Sequence, residues 1–129
     1  MIFSIQVSNP TYSTITNNDY DSIGDLLEDI FPLNTEQCIM FWNHVCIPLS
    51  YKYDISIILD DIIFIINEVS NNTNGYLEID WPSNTFSAKW YISWDSVDLK
   101  INTKWYNIVG NIESILNNVN ELAIKKIAF

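Results

Sequence analysis

The 129-residue chain has no arginine, and its only cations are six lysines set against sixteen acids, for a formal net charge of −10 and a pI near 4.1. Nucleic acid is held through phosphate contacts from a basic face, so this balance argues against a nucleic-acid partner. Histidine occurs once, at His44, and cysteine twice, at Cys38 and Cys46. One His and two Cys outside any C-x-x-C spacing cannot supply a zinc tetrahedron, and no metal or other cofactor is expected. With three glycines, four prolines and no internal repeat, the chain shows no linker, and one domain over 1–129 is the simplest account. The most apolar stretch, Ile55–Val69, is interrupted by Asp60, Asp61, Asn67 and Glu68, whereas a membrane span needs about 20 nearly uncharged residues. Met1–Ser8 lacks the positive n-region and long apolar core of a secretory signal, so the expected location is cytoplasmic, with no membrane partner. There is no P-loop, no GxGxxG and no GxSxG, and the expectation is a protein that is not an enzyme.

What is present is the material of a folded core. Apolar residues make up 48% of the chain and charged residues 17%, and a domain of this size buries roughly 65–70% of its unfolded surface without disulfide or metal. Residues 2–8 alternate as a first strand. Between Asp21 and Phe31, Ile23, Leu26, Leu27, Ile30 and Phe31 recur at helical spacing, with Asp21 or Ser22 as N-cap and Pro32 as the stop. Gln37–Leu49 reads as a hairpin turning at Asn43-His44, because Asn tolerates the positive φ of a two-residue turn. That register sets Trp42 opposite Val45, Phe41 opposite Cys46 and Cys38 opposite Leu49. The two cysteines are then about 10 Å apart by strand rise, beyond disulfide reach, and two buried thiols are expected.

Asp54 is expected to cap a helix running to about Ser70, apolar around most of its circumference and therefore buried on most of it. Gly75–Trp81, Phe86–Trp94 and Val97–Tyr106 alternate at period two and predict a meander with turns at Pro82–Thr85 and Asp95-Ser96. In that register Trp81 pairs with Phe86, Ile79 with Ala88, Leu77 with Trp90, Ile92 with Leu99 and Trp90 with Ile101. Asn111 is expected to cap a final helix with Ile112, Ile115, Leu116, Val119, Leu122 and Ile127 on its packing side. This order gives an α+β domain, a largely antiparallel sheet with a three-stranded C-terminal meander packed against helices.

The charge is uneven. Residues 1–51 hold Asp19, Asp21, Asp25, Glu28, Asp29 and Glu36 and no cation. Acids in the first turns of a helix are favoured by its dipole, and beyond that such a block can steer a basic partner. Tyr20, Asp21, Asp25, Glu28 and Asp29 are the candidate contact residues. A second candidate is the polar face of the meander, where Tyr76, Tyr91 and Tyr106 stand among Glu78, Asp80, Asp98 and Lys100 as in a protein–protein patch. The alternative is that another element covers that face.

No catalytic set accompanies these patches. His44 falls at a turn, and Cys46 two residues on does not form a nucleophile pair with it. Asp60 and Asp61 diverge by about 100° on a helix and cannot share an ion, so one should face solvent while the other caps or pairs. Asp19, Asp21 and Asp25 lack the glycine and terminal glutamate of a calcium loop. A non-catalytic module binding a small ligand or carbohydrate through exposed aromatics is the alternative function.

Two segments, Leu49–Ile62 (LSYKYDISIILDDI), preceded by a Trp-Asn turn, and Trp81–Trp94 (WPSNTFSAKWYISW), resemble the small acidic α+β immunity proteins of bacterial contact-dependent growth inhibition systems. The resemblance implies a cytoplasmic immunity protein that binds the C-terminal domain of a cognate toxin, often a basic nuclease, in a one-to-one complex. It would neutralise that domain by blocking the active site or an adjacent exosite. No contact residues carry over, because such families bind through different surfaces.

Overall fold

In the computed structural model, which describes residues 2–13, 19–33 and 36–129, the elements run in the following order. First come β1 (Phe3–Gln6), α1 (Ile23–Ile30), β2 (Gln37–Trp42), β3 (Val45–Ser50) and α2 (Ser56–Asn71). They are followed by β4 (Gly75–Pro82), β5 (Phe86–Trp94), β6 (Asp98–Ile108), α3 (Glu113–Asn118) and β7 (Glu121–Lys125). The strands form two antiparallel sheets, β1-β2-β3 and β4-β5-β6-β7, so the fold is α+β. Among the described residues no helix is long and apolar enough to cross a membrane.

The β2–β3 hairpin turns at Asn43 (φ 45°) and His44 (φ 69°), in the register that the alternation predicts. Asn43 serves more than the turn: its Nδ2 donates to the carbonyls of Val119 and Glu121, and the Trp42 indole N–H donates to Val119 at 2.9 Å. The cysteines are unbonded, but only Cys38 is buried. Cys46 is exposed, against expectation, because it lies opposite Phe41 on the face turned away from Met40 and Trp42.

The inward faces of the two sheets meet in an aromatic core. Trp42 lies 5.2 Å from Trp90 and 5.3 Å from Trp105 by ring centroids, and Trp81 lies 4.8 Å from Trp90. Aromatic pairs prefer such tilted and edge-on contacts to a face-to-face sandwich. All five Trp are buried.

Strand pairing in the meander differs from the expected register by two residues. Trp81 faces Ala88, Ile79 faces Trp90 and Leu77 faces Ile92. In the next pair Ile92 faces Ile101 and Trp90 faces Thr103. A two-residue shift keeps each side chain on its own face. Of the residues expected inside, Val97 is left exposed, and beyond a bulge at Ser87 and Ala88 Phe86 faces Ile108 in place of the expected Trp105. Turn chemistry moved the partners. The Ser83 hydroxyl accepts the Phe86 N–H at 2.9 Å, and the Asp95 carboxylate accepts both the Val97 and Asp98 N–H at 2.8 Å. Those two bonds hold the Asp95 carboxyl below its usual range.

The predicted final helix is the largest correction. Helix α3 covers only Glu113–Asn118, and the chain then becomes β7, the edge strand beside β6. Asparagines end the helix by binding strand backbone instead. The Asn117 amide bonds both the N–H and the C=O of Trp105 at 3.0 Å, and the Asn120 carbonyl accepts the Thr103 N–H and hydroxyl. Leu122 and Ile124 then face Ile101 and Leu99 across the ladder. Asn111 is a positive-φ turn residue, not the cap, which is Ile112.

The entry to α2 also differs. The Ser50 hydroxyl, not Asp54, caps the wide turn Tyr51–Ile55 that leads into α2, accepting the Tyr53 N–H at 3.0 Å. Asp54 reaches back to accept the Ser50 N–H at 2.8 Å and also takes the Thr85 hydroxyl, and it is buried. Helix α2 is buried on one side only, through Ile58, Ile65 and Val69. Ile57, Ile63, Phe64 and Ile66 are exposed, so the expected burial around most of the circumference does not occur. Helix α1, half the length of α2, packs on Ser56 and Asp60 and leaves the side that carries Ile57 and Phe64 open.

Candidate functional site

Helix α1 carries the acidic candidate patch. Ser22 caps it by accepting the Asp25 N–H at 3.1 Å. Its start is held by Asp60 of α2, whose carboxylate accepts the Gly24 N–H at 2.9 Å and the Ile23 N–H at 3.3 Å. A carboxylate at a helix N-terminus meets unpaired donors and the positive end of the dipole. The expectation that Asp60 or Asp61 faces solvent is therefore corrected: Asp60 caps α1, and Asp61 accepts the Trp81 indole N–H at 2.7 Å.

At the other end of α1, Lys52 Nζ donates to the Glu28 carbonyl at 2.7 Å. The acids near α1 divide by role. Asp29 accepts the Tyr20 hydroxyl, and Glu36 accepts the Thr11 N–H and hydroxyl, so these two tie the chain to itself. Asp21, Asp25 and Glu28 point outward and are exposed. Residues 34–35 of the acidic 19–36 stretch lie outside the described residues.

The second patch is the outer face of the four-stranded sheet, presented as an open surface with Tyr76 59% exposed and Tyr106 57%. It is not acidic. Three ion pairs are found among the described residues, and all lie here: Lys89–Glu78 at 3.9 Å, Lys100–Glu121 at 3.3 Å and Lys125–Asp98 at 2.8 Å. Lys89 Nζ also stands 5.2 Å from the Tyr91 ring centre, and Tyr91 and then Glu78 raise its pKa. Asp80 lies directly across the ladder from Lys89. Partial desolvation, followed by Glu78, raises the Tyr76 phenol. This face is therefore charge-balanced and internally paired.

The two patches do not come together. Tyr76, Glu78 and Asp80 point away from Ile79 and Trp81, whereas α2 lies on the Trp81 side and α1 lies beyond α2. A single flat partner surface cannot cover both. Charge follows the same division. Residues 1–74 hold ten acids and Lys52 alone, while residues 75–129 hold six acids and the other five lysines.

His44 is exposed at its turn, and no group of His, Cys, Asp and Glu able to hold a metal ion occurs among the described residues. Residue-by-residue reading of the sequence missed one feature, the exposed apolar flank Tyr53, Ile57 and Phe64 beside α1. Its trace in the sequence is a helix with more apolar residues than its neighbours can cover. In comparisons with protein-family models, curated proteins and solved structures, none matches this chain.

Proposed function

We propose that this protein is a non-catalytic immunity protein that binds a basic toxin domain, of the nuclease kind, one-to-one in the cytoplasm and blocks its active site or an adjacent exosite. The observation that carries the reading is the segregation of charge: ten acids against one lysine in the half built on α1 and α2, with Asp21, Asp25 and Glu28 directed outward. A protein that holds nucleic acid needs a basic surface, and an acidic inhibitor facing it gains both encounter rate and complementarity. The similarity of 49–62 and 81–94 to growth-inhibition immunity proteins supplies the class of partner. The ion-paired sheet face, with Tyr76, Glu78, Asp80, Tyr91 and Asp98, takes a secondary place. The small-ligand alternative loses its strongest platform, since the exposed rings are Tyr and Phe and every Trp is inside.

The test is co-purification with the C-terminal domain encoded immediately upstream of the gene, followed by calorimetry and stopped-flow association across a salt series. The expected result is a tight one-to-one complex that abolishes the domain's toxicity and forms more slowly as salt rises. Charge reversal at Asp25 and Glu28 should slow association further. Absence of binding would overturn the reading, and a flat salt dependence would remove its electrostatic part.

A further inference from the structure

The flank of α2 that α1 leaves uncovered has a shape of its own. Tyr53, Ile57 and Phe64 fall at i, i+4 and i+11, along one side of the turn and helix, and are 41%, 42% and 46% exposed. Helical geometry sets Ile57 and Phe64 two turns apart on the same side. The β4–β5 loop rises beside the first two, and Tyr53, Ile57, Pro82, Ser83, Asn84 and Thr85 enclose an open groove of about 440 Å³. Its wall is rigid: Thr85 donates to buried Asp54, the Asn107 amide holds the Asn84 carbonyl, and Asp61 ties the adjoining turn of α2 to Trp81.

We propose that this groove is the apolar anchor site of the docking surface and receives an apolar side chain projecting from a cationic surface of the partner protein. Exposed apolar stripes rimmed by polar groups mark interaction sites, and binding energy concentrates where an anchor side chain fills a pocket. Charge selects the occupant. The groove lies where the two halves meet, with Tyr53 and Ile57 from the half that holds ten acids and one lysine and Pro82–Thr85 from the other. That lysine, Lys52, donates to the Glu28 carbonyl and stands 5.8 Å from the Tyr53 ring centre. A second copy of this chain would bring together two molecules of net charge −10 and be repelled, whereas a cationic partner is drawn in. Acids then supply approach and the groove supplies residence. The inference rests on the reading of a basic protein partner and adds the place where that partner is gripped.

Isotope-labelled full-length protein is titrated with a synthetic amphipathic helix of leucine and lysine, and in parallel with its leucine and glutamate counterpart. The lysine peptide should shift the amides of Tyr53, Ile57, Phe64 and Ser83–Thr85 saturably, and the glutamate peptide should not. Phe64→Ser removes an exposed ring, and Asn84→Trp fills the groove while leaving the backbone carbonyl that Asn107 holds. Each should weaken the peptide about tenfold or more. Shifts confined to the α1 acids, unaffected by Asn84→Trp, would overturn the groove and leave acidic docking standing. Equal binding of the glutamate peptide would overturn the cationic occupant. Concentration-dependent dimerisation abolished by Asn84→Trp would assign the groove to a second copy and overturn the proposal. No binding of either peptide would overturn the groove, while the basic-partner reading stands or falls on the toxin-domain titration.

Discussion

The Asp61 carboxylate accepts the Trp81 indole N–H at 2.7 Å, joining α2 to the first strand of the four-stranded sheet. Its neighbour Asp60 turns the other way and holds the start of α1 through the N–H groups of Ile23 and Gly24. Two successive acids thus fasten α2 on two sides. Charge that looks like a solvated face in the sequence is here part of the frame that positions the outward acids.

Asp61→Ala leaves the indole N–H of Trp81, itself 1% exposed, without this partner. A buried donor so stranded costs about 1–3 kcal/mol. Urea unfolding followed by Trp fluorescence should show that loss, and Asp61→Asn, which retains an acceptor, should recover most of it. A change under about 0.5 kcal/mol in Asp61→Ala, the range of ordinary surface substitutions, would mean that the bond does not hold α2 to the sheet.

Gly24 seats α1. A Cβ at this position would stand 2.1 Å from the Ser56 carbonyl oxygen, a backbone atom that cannot swing aside. Helix propensity alone favours Ala over Gly by about 1 kcal/mol. Overpacking, with loss of the charged Asp60 bonds, outweighs that gain, so Gly24→Ala should destabilise by roughly 2 kcal/mol. Hydrogen exchange in α1 should quicken more than in β5. Unchanged exchange would show that α1 does not depend on close approach to α2.

At the hairpin turn two substitutions to the same residue should have opposite signs. His44 sits at φ 69°, where a Cβ is strained and glycine is not. Set against glycine's greater freedom in the unfolded chain, His44→Gly should gain about 0.5 kcal/mol. Asn43→Gly relieves the same strain but deletes the amide that bonds Val119 and Glu121, so it should lose stability. Thermal unfolding of the pair checks both signs, and two shifts in one direction would contradict the bonding seen here.

The two thiols should respond differently. Burial pushes the Cys38 thiol up from 9.0 to about 11, while Cys46 is exposed. One cysteine per chain should therefore alkylate rapidly in the native protein and two after denaturation, with Cys46→Ser abolishing the fast phase. The folded thiol holds its proton more tightly than the unfolded one, so its contribution to stability is complete below pH 9. That contribution declines as pH rises through 9 towards 11, by about 2–3 kcal/mol in all. Subtracting the alkaline unfolding curve of Cys38→Ala from that of the native sequence isolates this slope, and identical curves would sink it.

Local pattern was enough wherever one face had to be buried. Period-two alternation put Trp81, Trp90, Ile92 and Trp105 inside, and Asn43-His44 marked its turn, because a wrong choice would have put aromatics in water or strained a backbone that Asn tolerates. The charge imbalance was equally legible. Pairing partners in the meander were not. A two-residue slip leaves every side chain on its own face, and the choice fell to hydroxyl and carboxylate bonds at Ser83 and Asp95.

Three further outcomes belonged to tertiary structure alone. Residues 121–125 became a strand because Asn117 and Asn120 bond the β6 backbone, which no helical periodicity can reveal. Helix α2 kept Ile57 and Phe64 at the surface because α1 packs on Ser56 and Asp60, and Ile57 lies about 100° around the helix from Ser56. The two candidate patches were separated because strand alternation and the stacking of α2 and α1 turn them to opposite sides. The sequence by itself determined the class of fold, the inward residues and the sign of the charge, since each is a property of nearest neighbours and composition. Which acids are free to meet a partner, and where an apolar groove opens beside them, depended on contacts between residues far apart in the chain.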